Sequence, residues 1–249
     1  MASKETGRNS KPLVLITGAA GDIGTTLTRA LKSAYRVIGL DIVEAQEADA
    51  SFEFDLTSAD SVQLALKHVA DQYGTEVAAV VHLAAYFDFS GEESPLYEAV
   101  NLEGTRNLLR ALRDFAVDRF IYSSTMLVHR PGVPGEKITE DTPIEPGWIY
   151  PRSKAETEDI IREEAGDMPF TLLRLAGVYD EHSCVPTLAH QIARIYERTL
   201  KSHLYAGNTG VGQAFLHKQD MMDAFRRTID RRRELPQEGA ILIGEERCD

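Results

Sequence analysis

From Leu13 onward the chain alternates short apolar runs with segments whose apolar residues recur at helical spacing. Leu13-Val14-Leu15-Ile16, bounded by Pro12 and a group of glycines, reads as a strand buried on both faces. Residues 22–33 follow with Ile23, Leu27, Ala30 and Leu31 on one helical face. Arg36 to Leu40 predicts a second strand and Ser51 to Phe54 a third. Ala59 to Tyr73 predicts an amphipathic helix, with Val62, Leu66, Val69 and Ala70 in register. Val77 to His82 is an apolar fourth strand, Glu98 to Phe115 a long helix and Arg119 to Tyr122 a fifth strand. A helix carrying Tyr150 and Lys154 runs to about Glu164, and Phe170 to Leu175 is the sixth strand. Beyond Tyr179 the rhythm loosens. Helices are predicted over Pro186 to Leu200 and Asp220 to Arg231, with a late strand at Ala240 to Ile243.

Strands alternating with helices predict an α/β fold, a Rossmann-like doubly wound parallel sheet whose ligands lie at its carboxyl edge. The expected organisation is a disordered polar tail over residues 1–11, a Rossmann domain over 12–179 and a small C-terminal substrate lobe over 180–249. No repeat or low-complexity segment interrupts this order.

Composition narrows the partners. The 249 residues carry a net charge of -12, which makes the chain a poor ligand for nucleic acid. The one basic cluster, Arg226-Arg227 with Arg231 to Arg233, is broken by Asp230 and followed by Glu234, and reads as a solvated helix end. Cys184 and Cys248 have neither metal nor redox spacing, so reduced thiols and no metal are expected. The first ten residues lack the apolar core of a secretory signal. No apolar run approaches the roughly 18 residues of a membrane helix, so a cytoplasmic protein without membrane contact is expected.

The turn after the first strand, Thr17-Gly18-Ala19-Ala20-Gly21-Asp22-Ile23-Gly24, joins strand to helix, the context in which glycines cradle a dinucleotide. Gly18 permits the tight turn, Gly21 lets the backbone approach a pyrophosphate, and Gly24 lets the helix pack on the strand. The phosphates would rest on the helix N-terminus, beside Ala20, Asp22 and Ile23. Asp41 ends the second strand 23 residues after Gly18, near the offset of about 20 at which a carboxylate meets the adenosine ribose. That carboxylate repels a 2′-phosphate, and Ile42 and Val43 offer no arginine to receive one, so NAD is expected over NADP.

Tyr150 and Lys154 stand four residues apart, on one face of a helix. A lone tyrosine, with a pKa of about 10, is a poor acid or base at neutral pH. A lysine one turn away favours the phenolate and is expected to lower that pKa. His82 reads as a buried strand-end histidine, because no second metal ligand is spaced with it. His129 is assigned nothing.

These motifs, in this order, resemble the extended short-chain dehydrogenases of the NAD-dependent epimerase/dehydratase family over roughly residues 12–244. Beside the glycine turn and Tyr150/Lys154, the resemblance rests on Phe54-Asp55-Leu56, on His82-Leu83-Ala84-Ala85 and on Asn101-Leu102-Glu103-Gly104-Thr105. It also rests on Tyr122-Ser123-Ser124-Thr125, on Leu173 to Tyr179 and on Phe215 to Asp220. It implies Tyr150 as general acid/base, Lys154 on the nicotinamide ribose and Thr125 as a hydroxyl donor to the substrate oxygen. Asp55, Leu56, Leu83, Ala84, Ala85, Asn101, Ser123 and Val178 are then expected beside the cofactor. It also implies a homodimer through helices at about 98–114 and 149–164.

The chain departs from the family pattern in three places. Asp22-Ile23 replaces an aromatic residue before the third glycine. Gln213 stands where relatives acting on nucleotide sugars carry a diphosphate-binding arginine. The chain stops at Asp249, where family members commonly run some tens of residues further, so either a minimal substrate lobe or a fragment is expected. Tyr86, Phe87, Trp148, Tyr179 and Thr125 are expected to line the pocket of a small molecule, apolar or ring-shaped. The leading expectation is an NAD-dependent oxidoreductase of a secondary alcohol or ketone. A nucleotide-sugar epimerase or dehydratase is the alternative among enzymes, and a non-catalytic dinucleotide sensor the alternative of another class.

Overall fold

A computed structural model of the chain describes residues 11–88, 90–132, 135–182, 186–197 and 212–244. The expectations for the polar tail before residue 11 and for Cys184, Cys248 and residues 198–200 of the predicted helix fall outside these residues.

The elements run β1 (Leu13–Thr17), α1 (Asp22–Leu31), β2 (Arg36–Asp41), β3 (Ala50–Glu53), α2 (Ala59–Tyr73), β4 (Glu76–Val77) and β5 (Ala79–His82). A π-helix (Tyr97–Glu103) leads into α3 (Gly104–Ala111), followed by β6 (Ala116–Val117), β7 (Phe120–Thr125), α4 (Ile149–Glu164), β8 (Phe170–Leu175) and β9 (Gly177–Tyr179). The remainder is α5 (Pro186–Tyr196), β10 (Phe215–His217), α6 (Lys218–Asp230) and β11 (Glu238–Ile243). The main sheet has seven strands in the order β11-β8-β7-β5-β1-β2-β3, and every neighbouring pair is parallel.

The strand residues alternate between two cores. Leu13 and Leu15 point to one face, where α2, α3 and α4 bring Leu66, Leu108 and Ile161. Val14 and Ile16 point to the other, where α1 and α6 bring Leu27, Leu31, Met221 and Phe225. Burial on both faces explains why the sequence shows continuous apolar runs instead of alternation. The chain builds outward from β1 to β3, then returns to β5 beside β1 and builds the other way. The crevice at this reversal, beyond the C-terminal ends of β1 and β5, is where open α/β sheets bind ligands.

Three expectations change. The run 77–82 is not one strand: Glu76–Val77 pairs with Ala116–Val117 in a separate ladder, and only Ala79–His82 enters the main sheet. The helix expected over 98–115 begins as a π-helix, closed by the Gly104 N–H bonding to Ala99 O. The widened turn leaves the Asn101 carbonyl able to accept from the hydroxyls of Thr105 (2.6 Å) and Thr157 on α4 (3.2 Å). Finally, a domain boundary at Tyr179 would cut through the sheet. β11 is its outer strand, fully paired with β8, and α6 covers one of its faces.

The basic cluster is also more than a solvated helix end. Arg232 and Arg233 both bond Asp118, and the buried Arg119 donates to the carbonyls of Arg232, Leu235 and Pro236. This clamp holds the loop between α6 and β11 against the sheet. Among the described residues no helix is long and apolar enough to cross a membrane.

Candidate active site

At the carboxyl edge, β1 ends in the glycine turn. Gly18 has φ +71, and a Cβ there would lie 2.7 Å from Ala84 N on the segment after β5. A Cβ on Gly24 would lie 2.2 Å from Gly18 O. Both positions therefore exclude any larger residue, and the backbone of the turn stays bare. Gly21 is the N-cap of α1 and, having no side chain, makes no cap bond to the first N–H groups of that helix. They remain available to an anion.

Asp41, at the end of β2, accepts the Ala20 N–H at 2.9 Å. A cavity of about 500 Å³ opens between them, walled by Gly18, Ala20, Gly21, Asp41, Ile42, Phe54, Asp55, Leu56, Leu83, Ala84 and Ala85. Among the described residues no lysine or arginine lines it. Its glycine cradle, bare helix N-terminus and the Asp41 carboxylate fit an adenosine diphosphate without a 2′-phosphate.

A second cavity, of about 490 Å³, shares the wall residues Leu83 and Ala85 with the first. It is lined by Asp22, Ile23, Phe87, Ser123, Thr125, Met126, Leu127, Tyr150, Lys154, Leu175, Val178, Gln213 and Lys218, among others. The Tyr150 and Thr125 side chains both line this cavity, and the Thr125 hydroxyl is close enough to act on the phenol of Tyr150. The Tyr150 ring is held edge-on to Phe87 at 4.7 Å and beside Trp148 at 5.5 Å. Thr125 Oγ1 also accepts the Leu127 N–H at 3.3 Å, so it caps the turn after β7 as well as facing Tyr150.

Lys154 is buried. Its Nζ donates to Ser123 O at 2.9 Å and lies 4.8 Å from the centre of the Tyr122 ring. Burial draws its pKa down to about 8, opposed by Glu158 one turn further along α4. The Tyr150 pKa is raised by burial, against the expectation from sequence, and the group opposing the rise is the Thr125 hydroxyl. The lysine is engaged by the Ser123 carbonyl, and desolvation dominates at the tyrosine.

Glu158 anchors this arrangement from below. It accepts from Ser124 Oγ (2.6 Å), from Arg174 Nε (3.0 Å) and Nη2 (2.6 Å), and from Arg162 (3.1 Å). Arg174 Nη1 also donates to His129 Nε2 at 3.2 Å, while His129 Nδ1 donates to Thr142 O at 2.7 Å. His82 is structural, as its spacing suggests. It accepts from Thr17 Oγ1 (2.7 Å) and donates to Thr105 Oγ1 (3.0 Å), which itself donates to Asn101 O. Burial lowers its pKa to about 3, so it stays neutral.

Most residues expected at the site from sequence meet on these two cavities, with Gly24 packed beneath the turn. Asn101 does not. It is only 2% exposed, and its amide is committed to Tyr86 N (2.7 Å), Tyr86 O (3.1 Å) and Ser153 Oγ (3.0 Å). It braces the segment after β5 against α4. Tyr86, Trp148 and Tyr179 also lie outside the cavity walls: Tyr86 packs on Tyr97 and Tyr179 on His217. Lys218, Met126 and Leu127 line the cavity without having been singled out in the sequence. Lys218 lies inside the Phe215 to Asp220 motif, but nothing local marks it. Among the described residues no group of three or more His, Cys, Asp or Glu could hold a metal ion.

Comparison with known proteins places this geometry. UDP-glucose 4-epimerase of Mycolicibacterium smegmatis is 28% identical over 229 residues, covering 86% of this chain and 72% of that protein. 3 beta-hydroxysteroid dehydrogenase type 7 of Mus musculus is 27% identical, covering 93% of this chain and 66% of that protein. The chain spans only about 50% of the length of some other curated relatives. Among solved structures, the UDP-glucose 4-epimerase of Thermus thermophilus in complex with NAD superposes with a TM-score of 0.71 at 25% identity. That match covers 94% of this chain and 78% of the other. A family model matches residues 14–244. The chain belongs to the NAD dependent epimerase/dehydratase family.

Proposed function

We propose that this protein is an NAD-dependent oxidoreductase that interconverts a secondary alcohol and a ketone. The observation carrying this reading is the Tyr150–Thr125 hydroxyl pair, on the wall of a cavity that meets the glycine-turn cavity at Leu83 and Ala85. The glycine turn, Asp41 and Lys154 would hold NAD. When bound, NAD supplies or accepts a hydride at C4 of its nicotinamide ring.

The chain's own groups manage the proton. Burial keeps Tyr150 a phenol, so it acts as a proton donor to a carbonyl oxygen. The Thr125 hydroxyl shares that oxygen and stabilises its developing charge. The Lys154 ammonium, held by Ser123 O, provides the positive field behind them. Phe87, Met126, Leu127, Leu175 and Val178 give the wall an apolar stretch beside these groups, which suits an apolar or ring-shaped substrate.

A nucleotide-sugar epimerase or dehydratase is the second reading, favoured by the relatives that are UDP-glucose 4-epimerases. Gln213 on the cavity wall argues against it, because at the position of a diphosphate-binding arginine it offers no bidentate cation. A cytosolic homodimer formed through the π-helix, α3 and α4 completes the proposal. A monomer by light scattering at micromolar concentration would remove the dimer.

The test is a fluorescence titration with NADH and NADPH, followed by turnover assays on secondary alcohols and UDP-sugars. NADH preference with turnover of alcohols or ketones is the expected result. Tight binding and turnover of UDP-sugars would replace it with the second reading. Dinucleotide binding without turnover, unaltered in Tyr150→Phe, would mean a sensor instead of an enzyme.

A further inference from the structure

One side of the cleft is closed by an ionic cluster that the proton chemistry above does not use. Lys218, the first residue of α6, directs its ammonium between two carboxylates. One is Asp22, the first residue of α1, at 2.9 Å; the other is Asp180, just beyond β9. The lysine side chain is 12% exposed, Asp180 17% and Asp22 71%. Lys218 and Asp22 both line the cavity that holds Tyr150 and Thr125.

The position of Asp22 makes this cluster informative. It directly follows Gly21, at the bare N-terminus of α1, where the backbone N–H groups would hold a diphosphate. A carboxylate there repels the same phosphates that the helix end attracts. Lys218 is the cation that can reverse the local sign.

We propose that Lys218 is a cofactor-binding residue: its ammonium, shared by Asp22 and Asp180 in the cofactor-free chain, exchanges Asp22 for the diphosphate of a bound dinucleotide. The inference rests on the dinucleotide reading given above. Asp180, nearly buried, holds the ammonium in place in both states. Asp22, exposed, is the partner that phosphate displaces. The exchange ties the start of α6 to the glycine turn across the cofactor.

A purely structural ion pair and this exchange predict opposite effects at Asp22. If the pair only stabilises the fold, removing either charge weakens binding or leaves it alone. If Asp22 competes with phosphate, removing its charge tightens binding.

The experiment is an NADH titration of the full chain, with ADP-ribose and adenosine as competitors, on Lys218→Met, Lys218→Arg and Asp22→Asn. Lys218→Met is expected to weaken NADH and ADP-ribose about tenfold or more while leaving adenosine, which has no diphosphate, unchanged. Lys218→Arg keeps the charge and should retain most of the affinity. Asp22→Asn, at an exposed position, should tighten NADH several-fold.

Unchanged NADH affinity in Lys218→Met would overturn the proposal. So would an equal loss for adenosine, or weaker NADH binding in Asp22→Asn. If Lys218→Met does not fold, the sign of the Asp22→Asn effect decides. Failure of the unaltered chain to bind NADH would overturn the dinucleotide reading and this inference together; binding without the Lys218 and Asp22 effects overturns this inference alone.

Discussion

The carboxylate of Asp41 accepts the backbone N–H of Ala20 at 2.9 Å, which locks the end of β2 to the glycine turn. The bond fixes a negative charge at the wall of the glycine-turn cavity, where none of the described lysines or arginines lines the space around it. Asp41→Ala removes both the ribose acceptor and the charge that opposes a 2′-phosphate. The expected outcome is weaker NADH binding and a NADH/NADPH affinity ratio reduced by about tenfold, or 1.4 kcal/mol. Parallel titrations of the variant with the two cofactors measure it, and an unchanged ratio would contradict the assignment.

Tyr150→Phe removes the hydroxyl that faces Thr125 in the cavity while keeping the ring against Phe87 and Trp148. Turnover should fall by about 10² to 10⁴, the usual worth of a positioned proton donor, with NADH affinity nearly unchanged. Steady-state rates combined with a binding titration separate the two effects.

Lys154 predicts a pH limb. Its pKa, lowered to about 8 by burial, means that the ammonium is lost as pH rises through that value. The kcat/KM profile should therefore fall above about pH 8. Lys154→Arg, which stays protonated, should carry any remaining activity to higher pH. Stability moves the other way. The folded chain releases this proton before the unfolded chain does, so the unfolded state binds more protons between about 8 and the ordinary lysine value. Over that window the lysine's contribution to folding stability rises with pH, and it falls again as pH drops back through about 8. Denaturant titrations at several pH values, comparing the unaltered chain with Lys154→Met, isolate this slope.

Phe225 on α6 is fully buried against the face of the sheet that carries Val14 and Ile16. If the segment after Tyr179 belongs to the main core, Phe225→Ala should cost about 3–5 kcal/mol of stability. A cost below about 1 kcal/mol, the range of peripheral surface changes, would indicate a separable lobe. Chemical denaturation monitored by far-ultraviolet circular dichroism gives the value.

Much of the architecture is legible along the chain because local physics sets it. Burial on both faces makes β1 and β5 nearly continuous apolar runs. The 3.6-residue period marks α2 with both bounds as expected, Ala59 and Tyr73. The glycines at 18 and 24 announce a close backbone approach that no other residue allows. Tyr150 and Lys154 declare themselves because one helical turn separates them.

What the sequence alone determined, then, is the parallel α/β order, the glycine turn with its carboxylate partner Asp41, and membership of a dinucleotide-dependent family. Tertiary structure decided the rest, because those features depend on groups distant in sequence. The π-helix is set by Thr157 on α4 and by Leu56, whose Cβ would crowd a side chain at Gly104 to 2.8 Å. β11 is an edge strand of the main sheet only because β8 offers a free edge. The Tyr150 pKa rises because burial outweighs what a neighbour in sequence suggests. Lys218 meets Asp22 only after the two ends of the domain fold onto one sheet edge, since Coulomb attraction acts through space and leaves no periodic trace in the sequence.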